Sequence, residues 1–136
     1  MQTTLSPYLN FNGNCKEAME FYKSVFNGTL DLQTYGDNPA MPILEAQKER
    51  IIHATLSNDI LSFMACDAPL EHPVIFGSNI HMSLASTDET RLRKYFEDLS
   101  VGGTIDMPLA KQFWGDTFGM LTDKFGIHWM VNISSK

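Results

Sequence analysis

Cysteine is scarce in this chain. Cys15 and Cys66 are its only two, and they form neither a CxxC pair nor a zinc-ribbon spacing, so nothing points to a disulfide framework or a cysteine-built zinc site. Two reduced thiols are expected. Long apolar runs are also missing, since no stretch approaches the ~20 residues that a membrane-spanning helix needs. The opening Met1-Gln2-Thr3-Thr4-Leu5 has neither the cationic nor the apolar region of a secretory signal. The expectation is a cytoplasmic protein with no membrane partner. Positive charge is in deficit as well. Ten Lys+Arg stand against sixteen Asp+Glu, a net charge of -6, and no cationic group is denser than Arg91, Arg93 and Lys94. This speaks against a nucleic-acid partner, whose affinity comes from clustered cations that displace counterions.

What is present suits one domain with its own core. At 136 residues and 43% apolar composition, folding buries roughly two-thirds of the surface the unfolded chain exposes, enough without a staple. Leu5 to Phe11 alternates, which predicts a strand with Leu5, Leu9 and Phe11 on one face and Ser6, Tyr8 and Asn10 on the other. Asn14 and Glu17 have the spacing of a capping box. They precede Ala18, Phe21, Tyr22, Val25 and Phe26 at helical period, and Asn27-Gly28 ends the run. Strands are predicted over 29–35, 51–57 and 60–66, the last two joined by a turn at Asn58-Asp59. The turn-rich segment 36–49 reads as a loop suited to a lid.

A second series follows the Pro-containing stretch before Ser78. It comprises a strand over 79–85, a helix capped by Thr87 or Asp88 and stopped by Gly102-Gly103, an extended segment 104–113, and a hairpin of 117–122 with 127–133 turned at Asp123 to Gly126. A constant shift of 75 lays Leu9 on Leu84, Phe21 on Phe96, and Asn27-Gly28-Thr29 on Gly102-Gly103-Thr104. Module one is therefore read as 1–67, a linker as 68–78, and module two as 79–136, within a single domain spanning 1–136. The expected fold is α+β, two tandem βαβββ modules forming curved mixed sheets around a concave cavity, with the helices outside. If Leu9, Phe11 and Leu84 meet the helices, then Ser6, Tyr8, Asn10, His81, Ser83 and Ala85 line the cavity.

This duplicated order carries several motifs: Pro7-Tyr8-Leu9-x-Phe11-x-Gly13, Glu17-Ala18-x-x-Phe21-Tyr22-x-x-x-Phe26, Phe113-Trp114-Gly115, and Thr122-Asp123-Lys124-Phe125-Gly126-Ile127-x-Trp129-Met130-Val131. Together they resemble the PhnB-like branch of the vicinal oxygen chelate superfamily, which includes glyoxalase I, bleomycin-resistance proteins and extradiol dioxygenases. The resemblance covers nearly the whole chain and implies a glyoxalase-like fold and a homodimer. Members of this branch often carry a demethylubiquinone methyltransferase label. The chain lacks the glycine-rich strand-to-helix turn, followed by an acidic residue, of a dinucleotide or similar cofactor fold.

In metal-dependent members of the superfamily, the first and last strands of each module supply the ligands of a divalent ion. His81 fits one such position. The repeat puts Ser6 at the equivalent place in module one, Met130 falls where the superfamily has a glutamate, and no acid precedes Asp67 in the fourth strand. A hydroxyl and a thioether are poor substitutes for imidazole and carboxylate on such an ion. The expectation is therefore no metal cofactor, with His81 the position where a divalent ion would be sought, joined only by a convergence of His53 and His128. The ligand-binding candidates are Tyr8, Asn10, His81, Ser83, Trp114 and Met130, joined by Asn132. They suit a small molecule with an aromatic or aliphatic body and one or two oxygens. Asp123 is expected to fix its turn. The alternatives are a metal-dependent lyase, isomerase or transferase, and a resistance protein that sequesters a drug. Whether the chain is an enzyme, and with which catalytic residues, stays open at this level.

Overall fold

The computed structural model describes residues 2–37 and 45–135. The element order is β1 (Tyr8–Phe11), α1 (Cys15–Phe26), β2 (Thr29–Thr34), β3 (Ile51–Ser57), β4 (Ser62–Asp67), β5 (Met82–Ser86), α2 (Glu89–Leu99), β6 (Thr104–Lys111), β7 (Thr117–Thr122) and β8 (His128–Ile133). The fold is α+β, with βαβββ occurring twice in tandem. The chain forms two compact units, Met1–Ile75 and Phe76–Lys136.

In the first unit the sheet order is β1-β4-β3-β2, with β1 parallel to β4 and the other pairs antiparallel. Alternation assigns the faces. Phe11, Phe63, Ala65, Ala54 and Leu56 are buried on the side that meets α1, whose buried stripe is Cys15, Ala18, Met19, Tyr22, Val25 and Phe26. Phe63 is met edge-on by Tyr22 at 5.7 Å and by Phe26 at 6.5 Å between ring centroids. A bulge in the β2–β3 ladder, where Gln33 faces His53 but Thr34 faces Ile51, lets Ile51 join the core while His53 turns to the opposite face.

The second unit repeats this plan as β5-β8-β7-β6, with β5 parallel to β8. The Leu92, Tyr95, Phe96 and Leu99 stripe of α2 is buried, as are Leu121, Trp129, Val131 and Ile133 of the sheet. The Asp123 carboxylate is buried in the β7–β8 turn. It accepts from the Phe125 and Ile127 N–H groups at 2.8 and 3.1 Å and from Trp129 Nε1 at 2.8 Å. Registers correspond between the units: Tyr8 pairs with Met64 as Ser83 pairs with Met130, and Asn10 pairs with Cys66 as Ala85 pairs with Asn132.

Several local expectations are corrected. The first strand begins at Tyr8 rather than Leu5, because Pro7 has no N–H and contributes only its carbonyl to Met64 N–H, at 3.1 Å. Leu5 is therefore fully exposed, and Ser6 precedes the strand. Asn14 makes no side-chain cap. Asp67, at the end of β4, caps α1 instead, its Oδ1 accepting from Gly13 N–H at 2.8 Å and Cys15 N–H at 3.0 Å and its Oδ2 from Ile51 N–H at 2.9 Å. A buried carboxylate is the stronger acceptor for helix N-terminal donors, so the tertiary partner displaces the local one. The fifth strand begins at Met82, leaving His81 just before it, and β6 stops at Lys111, where a turn closed by Gln112 N–H donating to the Asp116 carbonyl at 2.8 Å begins. Asp88 caps α2 by accepting from Arg91 N–H at 3.1 Å. Half of the lid expected over 36–49 falls on 38–44, outside the described residues. No helix among the described residues is long and apolar enough to cross a membrane.

Candidate functional site

Each sheet has one face covered by its helix and one that is not, and period-2 alternation sends the candidate side chains to the uncovered face. On the first sheet these are Tyr8 and Asn10 of β1, with Met64 and Cys66 beside them on β4 and His53 and Thr55 on β3. Tyr8 is 42% exposed. Its hydroxyl lies 3.1 Å from His53 Nδ1, and His53 Nε2 lies 3.2 Å from Thr55 Oγ1. The Cys66 thiol donates to Asn10 Oδ1 at 3.1 Å.

Burial pushes the Tyr8 phenol above its ordinary range, and the neighbouring Cys66 adds to the rise. Burial also raises the Cys66 thiol, against the hydrogen bond from Tyr8 that lowers it. Both groups keep their protons at neutral pH, so this face presents neutral hydrogen-bonding groups rather than a thiolate or phenolate. Sequence reasoning found Tyr8 and Asn10 but did not place Thr55 and Cys66 in the cluster. The available signal was their alternation with the buried Ala54, Leu56 and Ala65.

On the second sheet the uncovered face carries Ser83, Met130, Asn132, Phe118, Met120 and Thr122. Met130 sits between its register partners Ser83 on β5 and Met120 on β7. At one end His128 is held on both sides, with Nδ1 2.9 Å from Thr122 Oγ1 and Nε2 3.0 Å from the Gly77 carbonyl. The Thr122 hydroxyl in turn donates to Asp106 Oδ2 at 2.7 Å. The His81 ring lies 5.3 Å from the His128 ring, tilted by 38°. At the other end Trp114, half exposed, packs 6.2 Å from Phe118 and 5.1 Å from Phe113. Asn132 Nδ2 donates to Asp116 Oδ2 at 3.0 Å.

The donor set is a poor fit for a divalent ion. His53 and His128 each have both ring nitrogens engaged, and the Asp67 oxygens are committed to three backbone N–H groups. Ser6 and Met130 offer a hydroxyl and a thioether. Among the described residues, no group of three or more His, Cys, Asp or Glu is arranged to hold a metal ion.

Two four-stranded mixed sheets built from tandem βαβββ units make a glyoxalase-like fold. Within it, residues 3–132 match the family described as 3-demethylubiquinone-9 3-methyltransferase, and the chain belongs to this PhnB-like family. It is 30% identical over 139 residues to Protein YjdN of Escherichia coli (strain K12), covering 95% of this chain and 94% of that one. The crystal structure of protein PA1353 from Pseudomonas aeruginosa superposes with a TM-score of 0.88 at 36% identity, covering 98% of both chains. A putative 3-demethylubiquinone-9 3-methyltransferase, PhnB protein, from Bacillus cereus superposes with a TM-score of 0.76 at 27% identity, covering 97% of this chain and 100% of that one.

Proposed function

We propose that this protein binds a small organic molecule on the uncovered faces of its two sheets, without a metal, using Tyr8, Asn10, His81, Ser83, Trp114 and Met130. The observation that carries this reading is the segregation of side chains. The helix-covered faces hold the apolar core, whereas the uncovered faces combine aromatic and thioether surface with a few oriented polar groups, the mixture a small-molecule site needs. His81 has no hydrogen-bond partner among the described residues, so its ring is available to a ligand. The donor chemistry of Ser6, Met130 and Asp67 favours direct recognition over chelation. Methyl transfer, named in the family description, would need a bound methyl donor. The β1–α1 turn, Asn12-Gly13-Asn14, lacks the glycine-rich pattern of nucleotide-type cofactor folds.

The protein acts in the cytoplasm as a homodimer in this reading. Self-association is supported by nearly bare apolar side chains, Phe113 at 98% and Ile75 at 96% exposure, which burial against a second copy would relieve.

The test is thermal unfolding after exhaustive dialysis against chelator, first with nickel, zinc or manganese added singly and then with a panel of small aromatic and aliphatic oxygen-bearing compounds. The expected result is a ligand whose stabilisation is the same with and without chelator and is reduced in Tyr8→Phe. Stoichiometric metal binding that vanishes in His81→Ala would overturn the proposal.

A further inference from the structure

The surroundings of Trp114 differ in kind from those of Tyr8. The β6–β7 hairpin turns through Gly115, with φ at 102°, and closes with Gly115 N–H donating to the Gln112 carbonyl at 3.0 Å. This sets the Trp114 ring at 62° to the Phe118 ring, 6.2 Å between centroids, so that two aromatic walls meet at an angle. Asn132 is the register partner of Phe118 and holds the Asp116 carboxylate by one oxygen, at 3.0 Å. The other oxygen has no partner among the described residues. Lys111, the nearest cation along the chain, pairs with Thr117. Ala110 pairs with Phe118, so alternation sends the lysine to the opposite face of the sheet.

From this arrangement we infer that Asp116, Trp114 and Phe118 form a subsite for an organic ammonium group. The inference deepens the proposed ligand-binding function and rests on it for Trp114. An aromatic face carries the negative side of the ring quadrupole, and tryptophan is the strongest of these surfaces for a cation. The carboxylate, half-buried and oriented by Asn132, supplies the formal charge. A small inorganic ion is a poor occupant, because it needs several oxygen ligands to replace its water and finds one free carboxylate oxygen here. An alkylated ammonium is weakly hydrated, spreads its charge over methyl groups that fit against rings, and asks for a single counter-charge. The net charge of -6 favours approach of such a cation. An anionic ligand would meet uncompensated carboxylate at this position.

The experiment uses choline and its neutral carbon isostere, 3,3-dimethylbutan-1-ol, titrated into the intact protein while the two indole N–H signals are followed by nuclear magnetic resonance. Trp129 serves as the internal reference, because its indole is buried and bonded to Asp123 at 2.8 Å. Choline should shift the Trp114 signal saturably, with the alcohol binding about fivefold or more weakly. Asp116→Asn, which can still accept from Asn132, should weaken choline about threefold or more and leave the alcohol unchanged. Equal binding of the two probes at Trp114, or an Asp116→Asn variant that binds choline normally, overturns the ammonium assignment while ligand binding on this face stands. No shift at Trp114 with either probe also overturns it, and the thermal panel then decides the broader reading independently.

Discussion

Asp67 offers the sharpest test of how the first unit is held together. Its buried carboxylate satisfies three backbone donors, two at the start of α1 and one at the start of β3, and so ties the helix, β3 and β4 together. Alanine at this position orphans all three. Loss of the helix cap costs about 1 to 2 kcal/mol, and leaving Ile51 N–H unmet in a buried setting adds about 1 to 3 kcal/mol. Asp67→Ala is therefore expected to lose about 2 to 5 kcal/mol. Asp67→Asn keeps one acceptor oxygen for the helix and turns an NH2 toward Ile51, so about 2 kcal/mol is expected. Asn14→Ala, at a residue whose side chain makes no cap bond, should change stability by under about 0.5 kcal/mol. Urea unfolding followed by far-ultraviolet circular dichroism measures all three. An Asp67→Ala variant within about 1 kcal/mol of wild type, or an Asn14→Ala variant as damaged as it, would refute this account of the cap.

The repeated glycines give a second test. A Cβ on Gly28, whose φ is 100°, would strike the Ser57 carbonyl oxygen, and one on Gly103 would strike that of Thr122, so Gly28→Ala and Gly103→Ala should each lose about 2 kcal/mol or more in urea midpoints. Burial, aided by the Asp67 charge, pushes the Cys15 thiol from 9.0 up to about 12. The native state thus retains a proton that the unfolded chain releases, and this contribution to stability, full below the unfolded value, is lost as pH rises from about 9 toward 12. Melting temperatures across that range should fall less steeply for Cys15→Ala than for wild type. In native protein near pH 8 a disulfide reagent should leave Cys15 untouched until urea is added.

Much of the fold was legible from the chain because its cues are local. Alternation marked the strands, helical period marked both helices, and the shift of 75 announced the duplication, with Gly28 and Gly103 recurring because each must pass against a carbonyl at the end of the third strand of its unit. Period 2 also divided Tyr8, Asn10 and Ser83 from Phe11 and Leu84, since side-chain direction in a strand follows parity alone. Parity failed where the ladder was irregular. The bulge opposite Gln33 and Thr34 decided which way Ile51 and His53 point, and that depends on a partner strand rather than on neighbours in sequence. The capping box was misread for a related reason: local spacing offered Asn14, but a carboxylate 52 residues from Cys15 took the donors once β4 paired beside β1.

The hydrogen-bonded clusters belong to the same class of fact. Tyr8 with His53, Cys66 with Asn10, and Asn132 with Asp116 are contacts between strands. Periodicity along the chain was enough to say which side chains leave the core, because burial follows it. Which of them meet emerged with folding, because pairing depends on strand order and register, and these are settled by the packing of the whole sheet.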